Sequence, residues 1–260
     1  MSYITRSLEK VVQQVTQEYP VVLVTGPRQV GKTTMLQKLM EGTSRGYVSL
    51  DDLNERALAK NDPELFLQLH KPPVLIDEVQ YAQDWDRWLK IIYDTQPDTH
   101  VVATGSASPA LMKGSRESGA GRWTVIQVPT MSFYEYCELL NLDRPNIASD
   151  LKVTTLLHKS QIERTQIMMQ LSKVQNHFMR YLQVGGFPEL ALADNDLMAQ
   201  QIMREDVVDK VLKRDLPSLY NIRNATELER IFLYLCNVSS EIVSIEAITK
   251  ELNGVSRTTV

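Results

Sequence analysis

The sequence predicts an α/β fold, a parallel sheet with helices on both faces, followed by a helical region. Three observations predict it. Five short apolar runs alternate with helical patterns up to residue 128, and four of them are continuous stretches of Val, Ile and Leu. Each of the first four ends on a small or acidic polar residue. After Pro129 the strand pattern stops and helical periodicity takes over. Runs that are apolar throughout suit strands buried on both faces, the parallel arrangement. Ligands of such sheets bind at the carboxyl ends of the strands, where these polar residues gather.

The elements follow in order. Leu8, Val11, Val12 and Val15 recur at helical spacing and predict a helix over 7–18, closed by Pro20. Val21–Val24 is the first strand, and Gln29–Met40 reads as loop into helix. Tyr47–Leu50 is the second strand, ending in Asp51 and Asp52. Val74–Ile76 is the third, introduced by Pro72 and Pro73 and ending in Asp77 and Glu78. His100–Ala103 is the fourth, ending in Thr104, Gly105 and Ser106. Trp123–Val128 is the fifth. Helices are predicted over 132–140, 161–183, 197–213, 227–237 and 244–252. This pattern divides the chain into an α/β domain (1–135), a helical domain (136–225) and a C-terminal segment (226–260).

Composition bounds the function. The 260 residues suffice for one large or two small domains. Apolar content of 43% and charged content of 23% are ordinary for a globular chain. The net charge of −4 gives no support to a nucleic-acid partner. Cys137 and Cys236 have no paired or metal-type spacing, so both read as free thiols of a cytoplasmic protein. No signal peptide is recognisable in MSYITRSLEKVVQQ, and no apolar run approaches the ~18 residues of a membrane span.

The stretch GPRQVGKTT, Gly26–Thr34, matches G-x-x-x-x-G-K-S/T between an apolar strand and a helix. Glycines let the backbone curl so that successive N–H groups point at phosphate oxygens. The following helix turns its positive end to the same oxygens. The predicted nucleotide contacts are Gly26, Pro27, Arg28, Gln29, Val30, Gly31, Lys32, Thr33 and Thr34. Lys32 is placed to bridge phosphates and Thr33 to ligate Mg²⁺. A chance match in a chain this long is on the order of one per cent, from ordinary residue usage. The strand ending in Asp77 and Glu78 supplies a carboxylate for the Mg²⁺ and a second to polarise a water. A capped strand end with two solvated acids is the alternative. Thr104 or Ser106 can sense the phosphate or the water, or simply cap the next helix. The glycine- and serine-rich loop Lys113–Arg122 carries Arg116 and Arg122. A guanidinium would stabilise charge on a transferring phosphoryl group, and Arg122, at the strand start, is favoured over Arg116. A solubilising loop is the alternative.

The order of these motifs resembles the AAA+ ATPases. More narrowly, it is similar to a prokaryotic AAA-like group of ATP-binding proteins with a C-terminal domain of unknown function. GPRQVGKTT, LIDEVQ, TGSAS, GRW, SFYEY and GGFPEL carry the likeness, over residues 4 to about 215. The resemblance implies strand order 5-1-4-3-2, a helical lid, ATP with Mg²⁺, and a homo-oligomer in which Arg122 acts between subunits. It implies lid contacts to the nucleotide from Gly186 and Pro188, whose other reading is a helix stop. It places Arg214 as a sensor candidate. Gln80 completes the group's Asp-Glu-x-Gln pattern.

The tail, 227–260, resembles the start of a winged helix, with Gly254 at a turn and Ser256 opening a third helix. Members of the group continue further, so the chain reads as C-terminally truncated. DNA is a possible partner, but five acids stand here against Arg230, Lys250 and Arg257, and a DNA reader needs a basic face. An unidentified protein partner is the other expectation. The function expected is a Mg²⁺-dependent ATPase acting as a conformational switch, with an ATP-regulated DNA-binding regulator as alternative.

Overall fold

The computed structural model describes residues 3–82, 85–95, 100–106, 123–144, 151–217, 222, 224–253 and 255. Helix α1 (Glu9–Glu18) leads into β1 (Val21–Gly26), and α2 (Lys32–Met40) leads into β2 (Gly46–Ser49). Helices α3 (Leu53–Asn61) and α4 (Pro63–Leu69) precede β3 (Val74–Asp77). Helix α5 (Trp85–Thr95) precedes β4 (Val101–Ser106), and β5 (Thr124–Gln127) completes the sheet. The strand order is β2-β3-β4-β1-β5 and every pairing is parallel, the expected 5-1-4-3-2 read from the opposite edge.

Period-two alternation explains why the runs are apolar throughout. Val21 and Leu23 point to one face, with Val74, Ile76, Val101 and Ala103, and pack with Ala59, Phe66, Trp88 and Ile92 of α3, α4 and α5. Val22 and Val24 point to the other face, with Leu75, Val102 and Ile126, and pack with Val12 of α1 and with Met35 and Leu36 of α2. Every residue of β1 is buried, because β1 lies between two neighbours and under helices on both sides.

Two strands run further than their apolar runs. β1 includes Thr25 and Gly26, and β4 includes Thr104, Gly105 and Ser106. The reason is mutual pairing, which continues to Thr25↔Gly105 and Gly26↔Ser106. Polar residues at the carboxyl edge are thereby held in ladder geometry, and apolar patterning cannot report that. The predicted helix over 197–213 is also divided, into an α-helix (Asp196–Ile202) and two π-helical stretches, Met203–Val208 and Val211–Asp215. No Pro or Gly in that stretch signals the change.

Contacts divide the chain into two compact units, 1–199 and 200–260. The first unit thus includes helices that follow β5. In this first unit α6 (Phe133–Leu139) starts with a capping box of Ser132 and Glu135. After the short helix α7 (Val153–Leu156), α8 (Gln161–Val184) starts with a second capping box, of Ser160 and Glu163. It ends at Gly185, whose φ of 69° suits a glycine. Phe133 and Tyr136 of α6 meet Phe178 and Tyr181 of α8, with ring centroids 5.1 to 5.5 Å apart. Helix α9 (Pro188–Ala191) carries its proline in the first turn, where no N–H is missed. The helix Asp196–Ile202 is α10. In the second unit, α11 (Ala225–Asn237) and α12 (Ile245–Glu251) share a small core of Ile231, Ile248 and Val255. The third helix of a winged helix, expected from Ser256 onward, lies outside the described residues.

Candidate functional site

The phosphate loop is built from backbone requirements. A Cβ on Gly26 would sit 2.3 Å from Val128 O, so only glycine lets β1 leave the sheet here. Gln29 has φ 58° and Gly31 has φ 89°, two left-handed residues that turn the chain into α2. The Val30 side chain is fully buried, so this predicted contact could reach a ligand only through its backbone.

Lys32 opens α2 and is buried, with Nζ donating to Gly26 O at 3.0 Å and to Pro27 O at 2.8 Å. Burial lowers its pKa; the charges of Glu78 and Asp77 oppose that shift, and Arg28 adds to it. One residue on, Thr33 Oγ1 donates to Asp77 Oδ2 at 2.9 Å. The Asp77 carboxylate, buried at the end of β3, also accepts from Tyr47 OH at 3.2 Å, from the Glu78 N–H at 3.1 Å and from Thr104 Oγ1. Glu78 follows in a left-handed conformation, φ 56°, which turns its side chain out of the strand alternation. Burial raises its pKa; a hydrogen bond from Gln80 and the positive charges of Lys32 and Arg28 oppose the rise. Gln80 Nε2 reaches both Glu78 Oε2 and, at 3.0 Å, Ser106 Oγ.

The carboxyl edge of the sheet thus brings together Lys32, Thr33, Asp77, Glu78, Thr104 and Ser106. Thr104 serves Asp77, and Ser106 joins Glu78 through Gln80. Arg122 and Arg116 lie outside the described residues. Arg214 belongs to the second unit.

A cavity of about 390 Å³ opens beside the loop. Tyr3, Arg6, Gln29, Gly31 and Thr34 line it together with Met131, Pro188 and Leu192. Pro188 therefore borders the space next to the phosphate loop. Gly186 does something else: a Cβ there would lie 2.3 Å from Met131 O and 2.8 Å from Met131 N, so its part is close backbone packing. The helix stop itself falls to Gly185.

Sequence reasoning missed three residues here. Tyr47 carried no signal. Arg6 is buried and donates to Glu135 Oε1 at 3.1 Å, Val30 O at 2.8 Å and Pro129 O at 3.1 Å. Glu135 could have been found in part, since Ser132-x-x-Glu135 is a capping-box pattern.

A parallel sheet of this order, with a glycine loop between β1 and α2 and an acid pair at the end of β3, across β4 from β1, defines a P-loop nucleotide-binding fold. The comparisons agree: residues 18–137 match the model of an AAA domain, and residues 175–260 match a domain of unknown function, DUF8612. On this P-loop fold, the first region is similar to an AAA domain and the C-terminal region to a domain of unknown function. The chain is similar to two uncharacterized proteins of Methanocaldococcus jannaschii, at 28% identity over 79% of this chain and 42% of the relative, and at 25% over 89% and 51%. An uncharacterized protein of Mycobacterium tuberculosis is 37% identical over 42% of this chain and 25% of its own length. The chain spans about half or less of the length of these relatives. Among solved structures, it is similar to a Walker-type ATPase of Pyrococcus abyssi, with TM-score 0.48, 15% identity and coverage of 96% and 89%. The RuvB Holliday junction branch migration motor of Thermotoga maritima gives TM-score 0.41, 15% identity and coverage of 99% and 84%. Among the described residues, no helix is long and apolar enough to cross a membrane. Cys137 and Cys236 are free thiols.

Proposed function

We propose that this chain binds ATP with Mg²⁺ at the carboxyl edge of its sheet and hydrolyses it slowly, as a conformational switch in the cytoplasm. The observation that carries the reading is the 2.9 Å bond between Thr33 Oγ1 and Asp77 Oδ2, beside Lys32 and Glu78. A hydroxyl and a carboxylate are the hard oxygen donors that suit Mg²⁺. The residues also fit the nucleotide. Gly31 leaves the cradle without a side chain, and Gln29 Oε1 is buried on the cavity wall without a hydrogen-bond partner among the described residues, an acceptor suited to an exocyclic amine.

When bound, Mg-ATP supplies the electrophilic phosphorus and the divalent charge. The protein supplies the rest. Lys32 exchanges the carbonyls of Gly26 and Pro27 for phosphate oxygens. Asp77, itself held by Tyr47 and Thr104, orients Thr33, and the two would hold the Mg²⁺. Glu78 takes a proton from the attacking water, and Gln80 links it to Ser106. Pro188 borders the base side. Arg122 of a neighbouring copy completes the site in a homo-oligomer. The switch is a shift of the helices after β5 relative to the phosphate loop.

The test is phosphate release by the purified chain with ATP and Mg²⁺, beside Lys32→Ala and Glu78→Gln. Lys32→Ala should weaken ATP binding about 100-fold, the loss of charge-assisted bonds worth ~3 kcal/mol. Glu78→Gln should keep binding and lose turnover. Binding without any turnover by the parent chain would leave a nucleotide-held switch and remove the hydrolase part of the reading.

A further inference from the structure

Arg6 lies outside the sheet, the glycine loop and the acid pair, yet it is one of the most committed side chains of the first unit. Its guanidinium is buried and its donors go to three separate segments. Nη1 holds Val30 O in the phosphate loop at 2.8 Å. Nη2 holds Pro129 O, just beyond β5, at 3.1 Å. Nε pairs with Glu135 in the first turn of α6 at 3.1 Å. Three different nitrogens of one planar fork meet these three acceptors, a span the single nitrogen of lysine does not cover.

Glu135 is equally committed. Its Oε1 also accepts from Ser7 N at 2.8 Å and Ser7 Oγ at 2.7 Å, and its Oε2 accepts from Ser132 N at 2.7 Å and Ser132 Oγ at 3.1 Å. The segment before α1, the end of β5 and the start of α6 therefore meet on one ion pair. That ion pair touches the phosphate loop one residue before Gly31. The Arg6 guanidinium is also the nearest group to Gly31, since a Cβ there would lie 4.0 Å from Nη1. Arg6 lines the cavity that Gly31, Thr34 and Pro188 share.

We propose that Arg6 is a positioning residue for the nucleotide: by holding Val30 O it fixes the turn that aims the Gly31 and Lys32 amides at phosphate, and by pairing with Glu135 it ties that turn to α6. The assignment rests on the nucleotide-binding reading above. It predicts that loss of Arg6 weakens phosphate binding in the folded protein. A strut that served stability alone would lower the melting temperature and leave the affinity of the folded fraction unchanged.

The experiment compares the 260-residue chain with Arg6→Met, Arg6→Lys and Glu135→Gln. Affinities for Mg-ATP and for Mg-tripolyphosphate are measured by calorimetry well below each melting temperature, with circular dichroism to show that each variant is folded. Arg6→Met should lose about tenfold or more in affinity, the scale of one charge-assisted hydrogen bond, and by the same factor for both ligands. Arg6→Lys should recover only part of that loss. Glu135→Gln keeps both carbonyl bonds of Arg6 and should lose less than Arg6→Met. Should Arg6→Met fail to fold, Arg6→Lys carries the test. A folded Arg6 variant with the parent's affinities overturns the proposal and leaves the nucleotide reading standing. A parent chain that binds neither ligand, with Lys32→Ala indistinguishable from it, overturns both.

Discussion

Glu78 shows how much one residue's chemistry depends on its seat. It is a carboxylate with a raised pKa, in a left-handed backbone conformation, beside a second carboxylate. A side chain that must be ionised to accept a proton gives a rate that rises with pH through its folded pKa. Phosphate release should therefore fall on acidification at a pH above 4.5, the ordinary glutamate value. Stability has the opposite sign. A folded pKa above the unfolded one means that stability is lost as pH rises between the two values, and the deficit persists at neutral pH. Glu78→Gln should thus melt higher than the parent at pH 7 while losing turnover, readable by calorimetry and phosphate assay on one preparation. A variant that melts lower would show that its bond to Gln80 outweighs the cost of burial.

Among the elements, α6 and the Gly185–Gly186 turn connect the helical segment to the sheet. Burial alone would raise the Glu135 carboxyl, but hydrogen bonds from Ser132 and Ser7 and the Arg6 charge more than offset it and bring it down to about 2. Its contribution is therefore complete above pH 4.5 and lost between pH 4.5 and about 2. That contribution is at most about 3 kcal/mol, because solvent screens part of it. Glu135→Gln should flatten the stability profile across that window in denaturant titrations at stepped pH. At the turn, Gly186→Ala would press a methyl onto the Met131 backbone, which must move because neither contact is a flexible side-chain end. A loss of about 1–3 kcal/mol is expected from such overpacking, whereas Gly42→Ala meets nothing within 4 Å and tests φ strain alone.

At the scale of the whole molecule, the question is assembly. An arginine offered from a neighbouring copy makes hydrolysis a property of the oligomer. Specific activity should then rise with protein concentration, and Arg122→Ala should abolish that rise while leaving ATP affinity within about threefold of the parent. Activity proportional to concentration throughout, with Arg122→Ala unaffected, would make the site self-sufficient. The second unit, 200–260, has a small core of its own, and its nine Asp and Glu against eight Lys and Arg give it no net basic charge.

The sequence by itself determined the parallel strands and the glycine loop that follows the first of them. Each rests on local rules: unbroken apolar runs for strands covered on both faces, glycines where the backbone must turn, and Lys32-Thr33 at a helix start. It also determined the Asp77-Glu78 strand end, because an apolar run closed by two acids is a local pattern. Tertiary structure alone decided that Thr104 serves Asp77 while Ser106 answers to Glu78 through Gln80, since that follows from β3 lying beside β4. It alone brought Tyr47 to Asp77 across 30 residues and Arg6 to Glu135 across 129. Such pairs have no local pattern. Each side chain is chosen for a neighbour that the chain meets only after the sheet has closed, and that neighbour is set by packing.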